Sequence, residues 1–408
     1  MLISIITLSI VFLLIIIRQI SIIKLQIWQI MLAGAVVVLV TGEISAKDAL
    51  ASINIDVMIF LFSMFIIGKA LEESKYLSHL SYKLFKRAKN ERNLLFLIIF
   101  LLGLLSALLM NDTIAIIGTP MMLLLSKRHD IEPKLLLLAL AFSVTIGSVI
   151  SPIGNPQNLL ISINSNIKNP FITFIEYLFI PTIINLFVVY IIFILFFKIG
   201  HKSIEHVEED ITDHKLVMLT KISLFILISL ILLNIILFIF SISFELKYIA
   251  LISTIPIWLS SKRFTIIKGI NWHTLIFFAS MFVLTASVWE SKVFQEILDN
   301  ASIDILSLKW IFVVSILLSQ LISNVPLVAL YLPFLLEAGA NVKELIALAV
   351  SSTIAGNLSI LGAASNVIII QEAYYRSKIN ITFIDFVKIG IPLTIINIMV
   401  YWLFFLII

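Results

Sequence analysis

Between Leu135 and Ile161 the chain is apolar except in its middle, where it reads Ser151-Pro152-Ile153-Gly154-Asn155-Pro156-Gln157-Asn158. As one straight helix these 27 residues would reach about 40 Å, against a hydrocarbon core of about 30 Å. Two prolines, a glycine and three amides predict that the helix breaks there. Backbone freed at membrane depth must meet protein, water or a ligand, so the break is a candidate binding site. A second interruption follows about 200 residues later, at Gly356-Asn357-Leu358-Ser359-Ile360-Leu361-Gly362-Ala363-Ala364-Ser365-Asn366.

Composition places both breaks in a membrane. The chain is 61% hydrophobic and 13% charged, its mean hydropathy is +1.15, and its apolar runs are apolar all round rather than along one stripe. Absence of cysteine excludes thiolate metal sites, disulfides and cysteine catalysis. The net charge of +4 does not indicate nucleic-acid binding, because the basic residues sit at the ends of apolar spans. Met1–Phe12 lacks a basic n-region and a small-residue cleavage site, which predicts a retained first span.

In order, the sequence predicts spans near 2–17, 25–42 and 56–72. A basic linker follows at 73–92, where Leu77, Leu80, Leu84 and Phe85 recur at helical spacing for a surface helix. The run 93–125 is interrupted by Asn111-Asp112-Thr113 and leaves a second apolar arm of only 12 residues, 114–125. That arm is shorter than a crossing needs, which predicts a re-entrant hairpin. Next come the broken helix 135–161, a span near 174–197 and a charged loop, 198–215. The loop's His201, Glu205, His206, Glu208, Glu209, Asp210, Asp213 and His214 have no compact metal-ligand spacing and read as a solvated connector. The order then recurs: spans near 216–240, 246–260 and 273–289, a linker at 290–307, a hairpin at 308–336 with its tip at Ser323-Asn324-Val325-Pro326, a broken helix at 344–371 and a last span near 385–407. The second hairpin's returning arm is read as about ten residues.

Register supports a duplication. Ser63-Met64-Phe65 and Glu73 match Ser280-Met281-Phe282 and Glu290; Ser106, Asn111 and Pro120 match Ser319, Asn324 and Pro333; Thr145, Ser151, Gly154 and Asn158 match Thr353, Ser359, Gly362 and Asn366. The expected fold is an all-α polytopic membrane protein of two inverted repeats, 1–198 and 216–408, joined by the cytoplasmic connector 199–215. Each repeat has five crossings, one of them a broken helix, plus one re-entrant hairpin, giving ten crossings in total. Because five is odd, the second repeat enters with opposite orientation. With the 73–92 linker cytoplasmic, only Lys47, Lys168, Lys247, Lys292, Lys309 and Lys343 of the 28 Lys and Arg fall outside. The positive-inside rule then puts both termini outside.

Paired broken helices in inverted repeats are the architecture of alternating-access secondary transporters. Half-helices that begin at the midplane aim N–H groups at an anion, and those that end there offer carbonyls to a cation. The candidate substrate and ion residues are Asn111, Asp112, Thr113, Ser151, Gly154, Asn155, Gln157, Asn158, Ser323, Asn324, Gly356, Asn357, Ser359, Gly362, Ser365 and Asn366. A bound Na⁺ would use Asn111, Asp112, Asn155, Asn324 and Gly362. Asp112 is the one carboxylate inside a re-entrant element and could hold Na⁺ or carry a proton. No cationic residue joins the set, which favours a small or neutral oxyacid, a carboxylate held with Na⁺, or an ion.

Asn111-Asp112-Thr113 after Leu104-Leu105-Ser106-Ala107, followed by Ser151-Pro152-Ile153-Gly154-Asn155-Pro156-Gln157-Asn158, resembles the ion transporter superfamily. That superfamily includes arsenite/antimonite permeases, sodium/proton antiporters, citrate-metal symporters and dicarboxylate/sodium symporters. The resemblance implies an elevator: a transport domain from about 93–161 and 308–371, a scaffold from the remaining spans, arm helices at 73–92 and 290–307, and a homodimer. Its dicarboxylate members carry Ser-Asn-Thr at each hairpin tip. Here Asp112 stands in the first tip and Val325 in the threonine place of the second, which moves weight toward the arsenite-permease and antiporter branches.

The expected function is secondary active transport of a small anion or oxyanion, arsenite-like or a small carboxylate, coupled to H⁺ or Na⁺. A Na⁺/H⁺ antiporter is the alternative reading, and a passive anion channel a further one. No enzyme activity and no cofactor beyond the coupling ion are expected. The partners are a small inorganic or organic anion and membrane lipid, with no nucleic acid. The location is a prokaryotic plasma membrane.

Overall fold

The computed structural model describes residues 2–19, 25–76, 79, 83, 85–197, 199, 213–239, 244–291 and 304–407. In the first repeat these form α1 (Leu2–Gln19), α2 (Ile27–Val40), α3 (Ala46–Ser52) and α4 (Ile55–Glu73). There follow α5 (Glu91–Leu109), α6 (Asn111–His129), α7 (Pro133–Ser148), α8 (Pro156–Asn164) and α9 (Pro170–Phe196). The second repeat holds α10 (His214–Ile239), α11 (Leu246–Trp258), α12 (Arg263–Lys268), α13 (Trp272–Glu290) and α14 (Leu308–Ile322). It continues with α15 (Asn324–Glu337), α16 (Val342–Ala355), α17 (Ala364–Ser377) and α18 (Phe383–Ile407). Of these, α5, α9, α10, α13 and α18 are long and apolar enough to cross alone, while α3 and α4 make a pair bent by 54°. Large apolar side chains such as Val40, Leu195, Phe225 and Ile407 are exposed on the outside, as lipid contact requires.

Both predicted hairpins and both broken helices are present, with longer return arms than the apolar runs indicate. Helix α6 has 19 residues, not 12, because it already begins at Asn111-Asp112-Thr113 and continues through Ser126-Lys127-Arg128-His129 before the left-handed Asp130 ends it. Helix α15 has 14 residues rather than about ten. Arm length therefore does not decide re-entrance; the tips do. Met110 (φ 67°, ψ 142°) and Ser323 (φ 71°, ψ 162°) turn the chain in the same rarely populated conformation, each directly before a buried asparagine that starts the return helix. A loop between two complete crossings would lie in water, whereas these tips are enclosed in protein. The first arm also contains a π-helical turn, Ile98–Leu102, and closes on α7 so tightly that a Cβ on Gly147 would overlap the Gly103 backbone.

The helices sort into two blocks. In one, α2 packs on α13 and α4 on α11, while α1 and α10 lie against these pairs. In the other, α5 and α14 pack on α7 and α16, α6 packs on α17, and α15 packs on α8. Each hairpin's return arm thus meets the second half of the other repeat's broken helix, the exchange that an internal two-fold relation requires. Helices α9 and α18, counted with the scaffold from sequence, instead pack on α7 and α16 and on each other. A Lys134–Asp385 ion pair at 2.7 Å fastens α7 to the start of α18.

Leu77, Leu80 and Leu84 of the first linker lie outside the described residues, as do 292–303 of the second. The same is true of His201, Glu205, His206, Glu208, Glu209 and Asp210 of the connector. Among the described residues no group of three His, Cys, Asp or Glu is placed to hold a metal. Asp213 caps α10 through the Leu216 N–H and pairs with Lys262 at 2.8 Å.

Candidate functional site

The first break runs from the end of α7 at Ser148 to the start of α8 at Pro156. Proline at the first helical position of α8 removes a donor that the helix could not use. Asn155 caps that helix, its Oδ1 accepting from the Asn158 N–H at 2.8 Å. Asn158 reaches back with its Nδ2 to the carbonyls of Ser148, Val149 and Ser151 at 3.4, 3.3 and 3.0 Å. The Ser151 hydroxyl accepts from the Ile153 N–H at 3.3 Å. Gly154 turns so closely over the end of α7 that a Cβ would overlap the Ser148 carbonyl.

The first hairpin tip docks on this turn. The Asn111 N–H donates to the Gly154 carbonyl at 2.8 Å, and its Oδ1 accepts from the Asp112 N–H at 2.9 Å. Its Nδ2 reaches the Ser365 hydroxyl of α17 at 3.5 Å. Asp112 and Thr113 are buried in the first turn of α6, where the helix N-terminus favours a negative charge. Among the described residues no hydrogen bond or ion pair reaches the Asp112 carboxylate. Thr113 packs on Gly68 of α4, so the tip touches both blocks.

The second break repeats part of this arrangement. Gly356 ends α16, Ile360–Gly362 form a single 3₁₀ turn, and Asn366 donates to the carbonyls of Gly356 and Ser359 at 2.7 and 3.5 Å. At the second tip Asn324 packs beside Gly356. Gln320 supports the break from α14: its Nε2 donates to the Ala355 carbonyl at 2.7 Å, and its Oε1 accepts from Ser359 at 2.8 Å.

The halves differ in how their polar atoms are used. In the first, Asn155 Nδ2 and Gln157 Nε2 converge on Thr353 Oγ1 of α16 at 3.3 and 3.1 Å, and Asn155 Nδ2 also meets Ser148 at 3.1 Å. The Thr353 hydroxyl gives its proton to the Ala349 carbonyl at 2.7 Å, with Asn158 Oδ1 a longer second acceptor at 3.4 Å. In the second, Asn324 Oδ1, Asn366 Oδ1 and both side-chain atoms of Asn357 are buried with no protein partner. The register explains the difference, because Asn155 and Gln157 are replaced there by Ala363 and Ser365.

The structure therefore joins the candidate residues into one crossing of two breaks and two tips. Sequence reasoning missed three members: Ser148, Gln320 and Thr353. The available signal was the match of Thr353 to Thr145, which marks the repeat without marking a contact. The collected side chains offer one carboxylate, amides and hydroxyls, and no cation. Most amide N–H groups are spent on protein oxygens, while several amide oxygens and the carboxylate are not.

Residues 11–344 match the protein family described as citrate transporter. The chain belongs to that family. Among the relatives of this citrate transporter family member is the silicon efflux transporter LSI3 of Oryza sativa subsp. japonica, 26% identical with 90% of this chain and 89% of that protein aligned. The putative transporter arsB of Dictyostelium discoideum is 21% identical, with 90% and 85% aligned. Among solved structures, the YdaH transporter of Alcanivorax borkumensis shares the fold, with a TM-score of 0.57 at 15% identity over 88% of this chain and 86% of that one. This chain is a multi-pass membrane transporter, not an enzyme.

Proposed function

We propose that this family member carries a small oxyacid, in the form that still bears hydroxyl protons, by secondary active transport coupled to H⁺ or Na⁺ at Asp112. The observation that carries this reading is the excess of unspent acceptors. Among the described residues of the site, Asn324 Oδ1, Asn357 Oδ1 and Asn366 Oδ1 lack partners against a single buried unpartnered amide donor, Asn357 Nδ2, whereas the amide N–H groups of Asn155, Gln157, Asn158, Gln320 and Asn366 are engaged. Acceptors recognise hydroxyl donors or a cation; an anion held without Arg or Lys would need free donors instead. A relative named for silicon efflux supports a weak, hydroxyl-rich acid as the cargo. In the proposed elevator the mobile block comprises both hairpins, both broken helices, α9 and α18. It moves against α1, α2, α4, α10, α11 and α13, where Thr113 on Gly68 marks the sliding contact.

Counterflow in proteoliposomes tests the reading. Arsenite and silicic acid are expected to exchange across the membrane, with exchange falling as pH rises and the acid ionises. Absence of exchange for these acids and for phosphate, sulfate and dicarboxylates would sink it.

A further inference from the structure

The crossing of α9 and α18 buries a polar cluster that takes no part in the site above. Thr182 and Asn185 on α9 stand in register with Thr394 and Asn397 on α18, and Tyr401 lies one turn beyond. All five are sealed from solvent. Asn397 Nδ2 donates to Asn185 Oδ1 at 2.8 Å, and the Thr182 and Tyr401 hydroxyls share a hydrogen bond at 2.7 Å. Asn185 Nδ2, Asn397 Oδ1 and Thr394 Oγ1 have no partner. The Asn185 amide lies beside the Tyr401 hydroxyl without reaching hydrogen-bond geometry.

Three unsatisfied polar atoms in hydrocarbon are costly, and their chemistry is complementary. We propose that one water molecule is bound at this crossing, accepting from Asn185 Nδ2, donating to Asn397 Oδ1 and bonded to the Thr394 hydroxyl. A buried water with three polar partners is well held. The inward amide N–H disfavours a bare cation, and the inward amide oxygen disfavours an anion. Since both repeats supply ligands, the water ties α9 to α18 across the seam between the two halves of the block.

A structure of the full chain in nanodiscs, at a resolution that shows ordered water, is expected to place a peak about 2.7–3.2 Å from all three atoms. Asn185→Leu and Asn397→Leu are each expected to lower the apparent melting temperature by about 2–4 °C. The double variant should lose less than the sum, because neither amide is then left facing a partner it has lost. Thr394→Val, a near-isostere that keeps the helix packed, should weaken the peak. The proposal is overturned by any one of three results: the two amides packed together with no peak, a peak that Tl⁺ or Rb⁺ replaces, or an additive double variant.

Discussion

Asn158 and Asn366 stand 208 positions apart and share two bonds at equivalent positions of their own repeats. Asn158 ties the carbonyls of Ser148 and Ser151, and Asn366 ties those of Gly356 and Ser359 at the equivalent positions. Each amide supplies donors to carbonyls that the unwound helix has released, so the break is built into the side chain that follows it. Leucine at either position removes the donors and keeps the heavy-atom count and branching of the side chain. Each substitution is expected to cost about 1–3 kcal/mol, read as a lower melting temperature in detergent. If both variants melt like the parent, the staple is not what holds the breaks.

Among the described residues Asp112 forms no ion pair, and it lies in the tip that contacts both blocks. Asp112→Asn keeps shape and removes the charge and its titration. Ion-driven uptake in proteoliposomes is expected to disappear while the protein remains monodisperse. Unchanged uptake with unchanged Na⁺ and H⁺ dependence would show the carboxylate to be structural.

The order of elements was legible because Pro152, Gly154 and Pro156 interrupt a run too long for one crossing, and because Asn111 and Asn324 mark tips in the same register. The length of α6 was not, since apolarity stops before the helix does: Lys127, Arg128 and His129 are helical but polar. Thr353 and Gln320 lie within uninterrupted helices, where a single threonine or glutamine usually bonds its own backbone. Their contacts depend on which helix crosses which, and one sequence does not show that. The seam of Asn185 and Asn397 was hidden for the same reason, one amide in each of two long apolar helices.

Outside the spans, Lys262 donates to the Asp213 carboxylate at 2.8 Å and holds its pKa below the usual carboxylate range. A lowered folded-state pKa stabilises above the unfolded value of about 3.9. That contribution is lost as pH falls through the lower folded value. Lys262→Met should therefore lower the melting temperature slightly at neutral pH, by the small amount expected of a solvent-screened pair, and leave it unchanged below the folded pKa, so that the acid limb of the profile flattens. A uniform drop at every pH would assign Lys262 a packing role instead.

Thr353 decides how many donors the first half can offer a ligand. Its hydroxyl oxygen accepts from both Asn155 and Gln157. In Thr353→Val the shape persists, Asn155 keeps only Ser148, and the Gln157 amide loses its protein partner. The expected stability cost is about 1–3 kcal/mol, and the freed N–H groups change what the site prefers. On the function proposed above, an acceptor-rich site gains two free donors, so inhibition by small anions such as phosphate or sulfate should strengthen relative to the neutral acid. Thr353→Ser retains the oxygen and should retain the preference. Inhibition of counterflow by each anion, compared across parent, valine and serine proteins, measures the shift; valine and serine proteins with equal anion sensitivity would remove Thr353 from selectivity and leave it a helix-packing residue.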